Sequence, residues 1–170
     1  MAKPDYRWDE AASAAQNARR VLPGLLQAYF EEGRALAGSQ PAPAELHRLR
    51  LATKRLRYTL ELFRPCYGPG MEGRLGGLRK IQQYLGEIND CAATERLLDE
   101  HLAPRSPLRA RLAAFLRARR IQKIAQFKAC WRASFDRPGE LERWADYLAR
   151  RTTRRISAPR PTSGRPPSAS

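Results

Sequence analysis

The residues best suited to chemistry lie in one stretch, residues 45–64. Wound at 3.6 residues per turn, it sets His47, Arg50, Lys54, Arg57 and Tyr58 along one line of a helix, at steps of three and four, with Glu61 closing the line a turn later. The chemistry such a row can perform is anion binding. Arginine offers a bidentate fork and lysine a point donor, while histidine and tyrosine each donate a hydrogen bond to a phosphate oxygen. Like charges at these spacings destabilise an isolated helix by roughly a few tenths of a kcal/mol per pair, so the row gains from a counter-charge. A solvated basic face is the plain alternative. Leu46, Leu49, Thr53, Leu56, Leu60 and Phe63 form a second line that must be buried, and Arg48 and Arg55 fall on a third side, away from the core.

Two other helical stretches repeat the arrangement. Between residues 71 and 102 an apolar stripe of Leu78, Ile81, Leu85, Ile88 and Ala92 is flanked by Arg79, Gln82, Gly86 and Asn89, with Gln83 and Asp90 slightly further round. Asn89 and Asp90 are placed to orient arginine side chains, or are ordinary helix-surface polarity. Gly86 costs a helix interior roughly 1 kcal/mol against alanine, which points to close approach of a backbone or a ligand. In residues 107–135 Arg120 falls at the centre of the stripe of Ala113, Leu116, Ile124, Phe127 and Trp131, Lys123 falls on its border, and Arg109 projects to the same side. Cations beside three buried stripes converge on a groove or an end of a bundle, where they are expensive to desolvate unless an anion joins them.

These residues need helices to position them, and the chain supplies helices throughout. Residues 8–36 read as a first helix, with Asp9 and Glu10 suited to its N-terminal dipole and Pro23 expected to kink or split it. A loop at Gly38–Pro43 leads to the second helix, about 43–64, which Pro65 stops; the third runs about 71–102 and the fourth about 107–135. A short fifth helix, 139–150, carries Leu141, Trp144 and Leu148, and Glu140 and Glu142 suit its N-terminal dipole. No strand pattern is convincing. The expected architecture is all-α: an up-and-down bundle of four long helices plus a short C-terminal one over residues 1–155, then a disordered, basic, Pro/Ser-rich tail at 156–170.

Composition narrows the partners. The chain has 170 residues, with 32 Lys and Arg against 17 Asp and Glu, a net charge of +15. That excess favours nucleic acid, anionic surfaces or phosphate polymers. The field is local, since residues 105–132 hold nine Lys/Arg and no acid. Cys66, Cys91 and Cys130 stand far apart, and with no secretory signal they read as reduced thiols of a cytoplasmic protein. Two histidines, His47 and His101, make no zinc set, and no P-loop, GxGxxG or Gly-x-Ser-x-Gly pattern occurs. The expectation is a protein with no metal and no cofactor that is not an enzyme, a phosphohistidine relay through His47 being the minor alternative.

The stretch Glu45-Leu-His47-Arg-Leu-Arg50-Leu-Ala-Thr-Lys54-Arg55-Leu-Arg57-Tyr58-Thr-Leu-Glu61 resembles the signature of the CHAD family, the conserved histidine α-helical domain. Leu78-Arg79-Lys80-Ile-Gln-Gln-Tyr-Leu85-Gly86-Glu-Ile-Asn89-Asp90 resembles its second motif, and with the helical pattern the likeness spans about 40–150. The resemblance implies a helical bundle that binds inorganic polyphosphate in a basic groove. Its signature positions fall on His47, Arg50, Lys54, Arg55, Arg57 and Arg79. Arg120 and Lys123 rest on the helical projection alone. The usual domain pairs two related bundles, each with its own motif. This chain has a single copy, most like the second half, so one bundle suffices, or two chains form a homodimer that rebuilds the groove, or binding has been lost. The reading is a bacterial, cytoplasmic module at polyphosphate granules that binds polyphosphate through His47, Arg50, Lys54, Arg55, Arg57, Tyr58, Arg79, Gln82, Asn89, Arg120 and Lys123. A nucleic-acid-binding helical protein is the alternative, and no membrane is involved.

Overall fold

The computed structural model describes residues 9–150, with the backbone alone for Arg150; the expected boundary at 155 and the tail lie outside them. The chain forms five α-helices: α1 (Ala14–Gly38), α2 (Pro43–Leu62), α3 (Gly70–His101), α4 (Pro107–Ser134) and α5 (Glu140–Arg150). One 3-10 turn, Arg64–Cys66, follows α2. Among the described residues there is no strand. The fold is all-α, four long helices and a short C-terminal one.

Helix α1 begins later than its composition suggests. Ser13 caps it, its hydroxyl accepting from the Gln16 N–H at 3.3 Å while the Gln16 side chain accepts from the Ser13 N–H at 2.7 Å. Asp9 and Glu10 therefore lie ahead of the helix, not in its first turn. Buried Asn17 holds that preceding segment, donating to the Asp9 carbonyl at 2.8 Å and accepting from the Asp9 N–H at 3.0 Å. Pro23 does not split α1, which runs unbroken from residue 14 to residue 38. Leu22, Leu25 and Leu26 are buried around it, and tertiary packing outweighs the lost backbone hydrogen bond.

The core is aromatic at its base. Trp131 of α4 stacks on Phe135 with centroids 4.8 Å apart, and Tyr29, Phe30, Phe127 and Trp144 close around the pair. Gly33 of α1 makes room for this, because a Cβ there would sit 1.9 Å from the Trp131 ring. Gly86, by contrast, has nothing within 4 Å of an added Cβ, so no backbone approaches it. Arg74 locks α5 down: its guanidinium lies 3.9 Å from the Tyr147 ring centroid and 5.4 Å from that of Trp144, and it donates to the Arg143 carbonyl.

The upper half of α4 is less covered than its stripe predicts. Ala113, Leu116 and Ile124 are only half-buried, and no residue from 92 to 126 is fully buried. Lys128 and Arg132 donate to the Ser39 and Ala37 carbonyls at the end of α1. The earlier part of α4 and the facing end of α3 therefore project beyond the α1–α2 turn as a two-helix arm.

Candidate anion-binding face

Helix α2 lies antiparallel on α3, and the register is set by polar pairs. The N-terminus of α2 is closed by Glu45, whose carboxylate accepts from the Ala42 N–H at 2.7 Å. Every residue of its apolar line, from Leu46 to Phe63, is buried. Thr53 belongs there because its hydroxyl donates to the Leu49 carbonyl at 2.8 Å and meets the Tyr29 hydroxyl at 3.3 Å. Burial of that phenol raises its pKa well above the ordinary tyrosine value.

With one face of α2 fixed, the cationic line borders α3. His47 Nδ1 is 2.9 Å from Asn89 Oδ1. The amide oxygen accepts, so Nδ1 carries the proton and Nε2 stays available. Arg57 Nε donates to Gln82 Oε1 at 2.9 Å. These two pairs bring four of the expected site residues together and put Gly86 at the level between Arg50 and Lys54. Asn89 thus orients the histidine rather than an arginine, and the Asp90 carboxylate makes no hydrogen bond among the described residues.

Arg50 and Lys54, in mid-row, have no carboxylate partner among the described residues. The Arg50 Nε is buried with no hydrogen-bond acceptor. Lys54 Nζ has only the Tyr58 ring, 6.0 Å away, while the Arg57 guanidinium stacks 4.3 Å from the same ring. Tyr58 is half-exposed and Arg55 is exposed, on the outer surface of the helix. Beyond Arg57 the row is closed by acids. Glu61 takes Arg57 at 2.7 Å and Arg79 at 3.6 Å, and Glu72 takes Arg79 at 2.6 Å and Arg64 at 3.2 Å. The hydrogen bond from Arg79 holds the Glu72 carboxyl below its ordinary pKa and raises the guanidinium's own.

Arg120 and Lys123 border α3 from its other neighbour, α4, and are matched there. Arg120 pairs with Glu95, and Lys123 with Glu87 at 2.6 Å, with Arg119 at 3.7 Å from the same Glu87 carboxylate. That contact depresses the Glu87 pKa. Among the described residues, none of their ion-pair or ring partners lies on α2. A cleft of about 670 Å³ opens instead at the His47 end of the row, lined by Pro43, His47, Leu85, Ile88, Asn89 and Arg96. Glu72, Glu87, Glu95 and Arg96 escape the sequence reading, because periodicity marks faces and not the partner across a helix interface.

The CHAD domain family model matches residues 1–99 of this chain. The chain belongs to the CHAD family. The match begins earlier than the motif likeness at about 40, and ends two residues short of the end of α3. It contains every expected site residue except Arg120 and Lys123. CHAD domains are associated with polyphosphate at the level of the family. No curated protein and no solved structure matches the chain. No helix among the described residues is long and apolar enough to cross a membrane.

Proposed function

We propose that this CHAD protein is a binding module, not an enzyme, and that it holds inorganic polyphosphate along the α2 row in the cytoplasm, at polyphosphate granules. The observation that carries the reading is the state of Arg50 and Lys54. They sit mid-row without acids, one with a buried, unsatisfied N–H, between His47 and Arg57, which α3 holds in place. An unsatisfied buried donor costs about 1–3 kcal/mol, which a phosphate oxygen would offset once the Arg50 side chain turns towards the ligand. From His47 to Arg57 the row spans about 15 Å at 1.5 Å per residue, enough for several consecutive charges of a flexible polyanion.

The ligand would enter from the His47 end, where the cleft opens, and lie over Arg50 and Lys54 towards Arg57. At Arg57 and Arg79 it must compete with Glu61 and Glu72, so these arginines contribute less than their charge suggests. Arg55 and Tyr58 would contact a chain only from outside the row, and Arg120 and Lys123 would serve through the ion pairs they already make on α3. A homodimer with two rows facing each other would hold the polyanion from both sides. Because like-charged rows repel, it would form on the ligand rather than before it.

Competition tests the reading. Labelled polyphosphate bound to the full chain is challenged with short duplex DNA at equal phosphate concentration and fixed salt. Retention of polyphosphate is the expected result; displacement by the duplex would favour a nucleic-acid-binding protein instead.

A further inference from the structure

The projecting arm carries a surface that the anion-binding row does not use. Over residues 92–126 no side chain is fully buried, yet Leu97, Leu108, Leu112 and Phe115 are 52%, 55%, 37% and 60% exposed. Leu108, Leu112 and Phe115 stand at i, i+4 and i+7, so they form one stripe on α4. Arg119 extends that stripe by one turn and reaches Glu87 of α3. The stripe therefore lies on the flank of α4 turned towards α3. The ion pairs Arg109–Asp99 and Arg120–Glu95 hold α4 against α3, and Leu97, two residues from each of those acids, lies on the side of α3 turned away from α4. Two helices with no third layer leave the α4 stripe uncovered beside α3.

Charge decides what covers it. The arm has eight Lys/Arg and three Asp/Glu over residues 92–126, a difference of +5. Asp99 and Glu95 are taken up by Arg109 and Arg120. Arg111 borders the stripe three residues from Leu108 and four from Phe115, Arg119 follows Phe115 by four, and Arg105 lies in the turn just ahead of α4. A second copy would bring the same excess of cations, and residues 151–170 hold five arginines and no acid, so neither is complementary. Phosphate polymers gain nothing from leucine and phenylalanine anchors. A flat lipid surface would first meet the outermost line of α4, opposite its packed side, where Arg111, Ala114, Ala118 and Ile121 stand, one large apolar side chain rather than the row of anchors.

We propose that the α3–α4 arm docks an acidic amphipathic helix of another protein, whose apolar face covers Leu108, Leu112 and Phe115 and whose carboxylates meet Arg105, Arg111 and Arg119. This is the helix-in-groove mode, with affinity from the anchors and selectivity from the arginine border. It is independent of polyphosphate binding.

The test uses the full chain and a labelled synthetic peptide long enough to be helical alone, about 15–20 residues, with leucine at i, i+3, i+4 and i+7 and glutamate elsewhere. Fluorescence anisotropy should show binding, with a scrambled peptide of identical composition weaker by about tenfold or more. The double variant Leu108→Ala/Phe115→Ala should lose about tenfold or more, whereas Leu62→Ala, a still more exposed apolar site on α2, should not. The anchors are exposed, so circular dichroism should show both variants folded. Equal binding of the scrambled peptide, full binding by the double variant, or no binding at all would overturn the proposal. So would a concentration-dependent dimer, or recruitment to duplex DNA or anionic vesicles, that disappears in the double variant.

Discussion

Replacing Gly33 with alanine sets two effects of opposite sign against each other. Helix propensity favours the change by about 1 kcal/mol, since Gly33 lies inside α1. Packing opposes it. The new Cβ would lie 1.9, 2.2 and 2.4 Å from three ring atoms of Trp131, where unstrained carbons stay about 3.5–4.0 Å apart. The indole would have to retreat by roughly 1.5 Å or more to restore that separation. It has no free side to move to, with Tyr29 at 5.3 Å, Phe135 at 4.8 Å and Phe127 at 6.2 Å between ring centroids. Overpacking of this kind costs about 1–3 kcal/mol or more, and a shift of this size belongs at the upper end. The net expectation is a loss of about 2 kcal/mol, a fall in Tm of roughly 4–8 °C for a chain of this length. Gly86→Ala is the matched control. It meets nothing within 4 Å, so the propensity gain stands alone and Tm should rise slightly. Thermal and urea unfolding followed by circular dichroism read both variants, and tryptophan fluorescence reports displacement of Trp131. A Gly33→Ala protein as stable as the wild type would refute the packing argument.

The carboxylates that close the row give a pH prediction. Arg79 depresses the Glu72 pKa, so its contribution to stability is complete above the ordinary carboxylate value of 4.5 and is lost as pH falls through the lower folded value. NMR titration should place the Glu72 midpoint below 4.5, and Arg79→Ala should return it towards that value; an unchanged midpoint would discount the ion pair. Arg74→Met removes the cation between Tyr147 and Trp144 and should cost about 1–2 kcal/mol, with hydrogen exchange accelerating in α5 before α2. Uniform acceleration would mean that Arg74 does not hold α5 locally. Glu61→Gln frees Arg57 and Arg79 from a competing carboxylate and should tighten polyphosphate binding several-fold, as read by calorimetry. Weaker binding would instead make Glu61 a positioning residue.

What was legible in the sequence follows from periodicity. The apolar line of α2 repeats six times in twenty residues, and all six side chains are buried, so the cationic line beside it could be read off directly. Arg120 and Lys123 were visible as cations at an apolar stripe, but Glu95 and Glu87 were not visible as their partners, because a pairing across helices depends on register. Gly86 points to a close approach through its cost inside a helix, yet an added Cβ there meets nothing within 4 Å. Gly33 carries the close approach, with Trp131 on a helix far along the chain. Pro23 does not split α1, because the leucines that pack around it outweigh its local preference as a breaker. The bare arm was hidden for a related reason: the stripe of Leu116 and Ile124 indicates a buried face but not whether a third helix reaches it.

The central claim is that mid-row Arg50 and Lys54 bind polyphosphate. Titration of polyphosphate of defined length into the wild type and the Arg50→Ala/Lys54→Ala double variant, at matched salt, tests it most directly. Charge-assisted contacts of this kind contribute about 1.5–3 kcal/mol each, so the double variant should lose roughly a hundredfold or more in affinity while melting near the wild-type temperature. Undiminished binding in a folded double variant would contradict the claim and move the site away from α2.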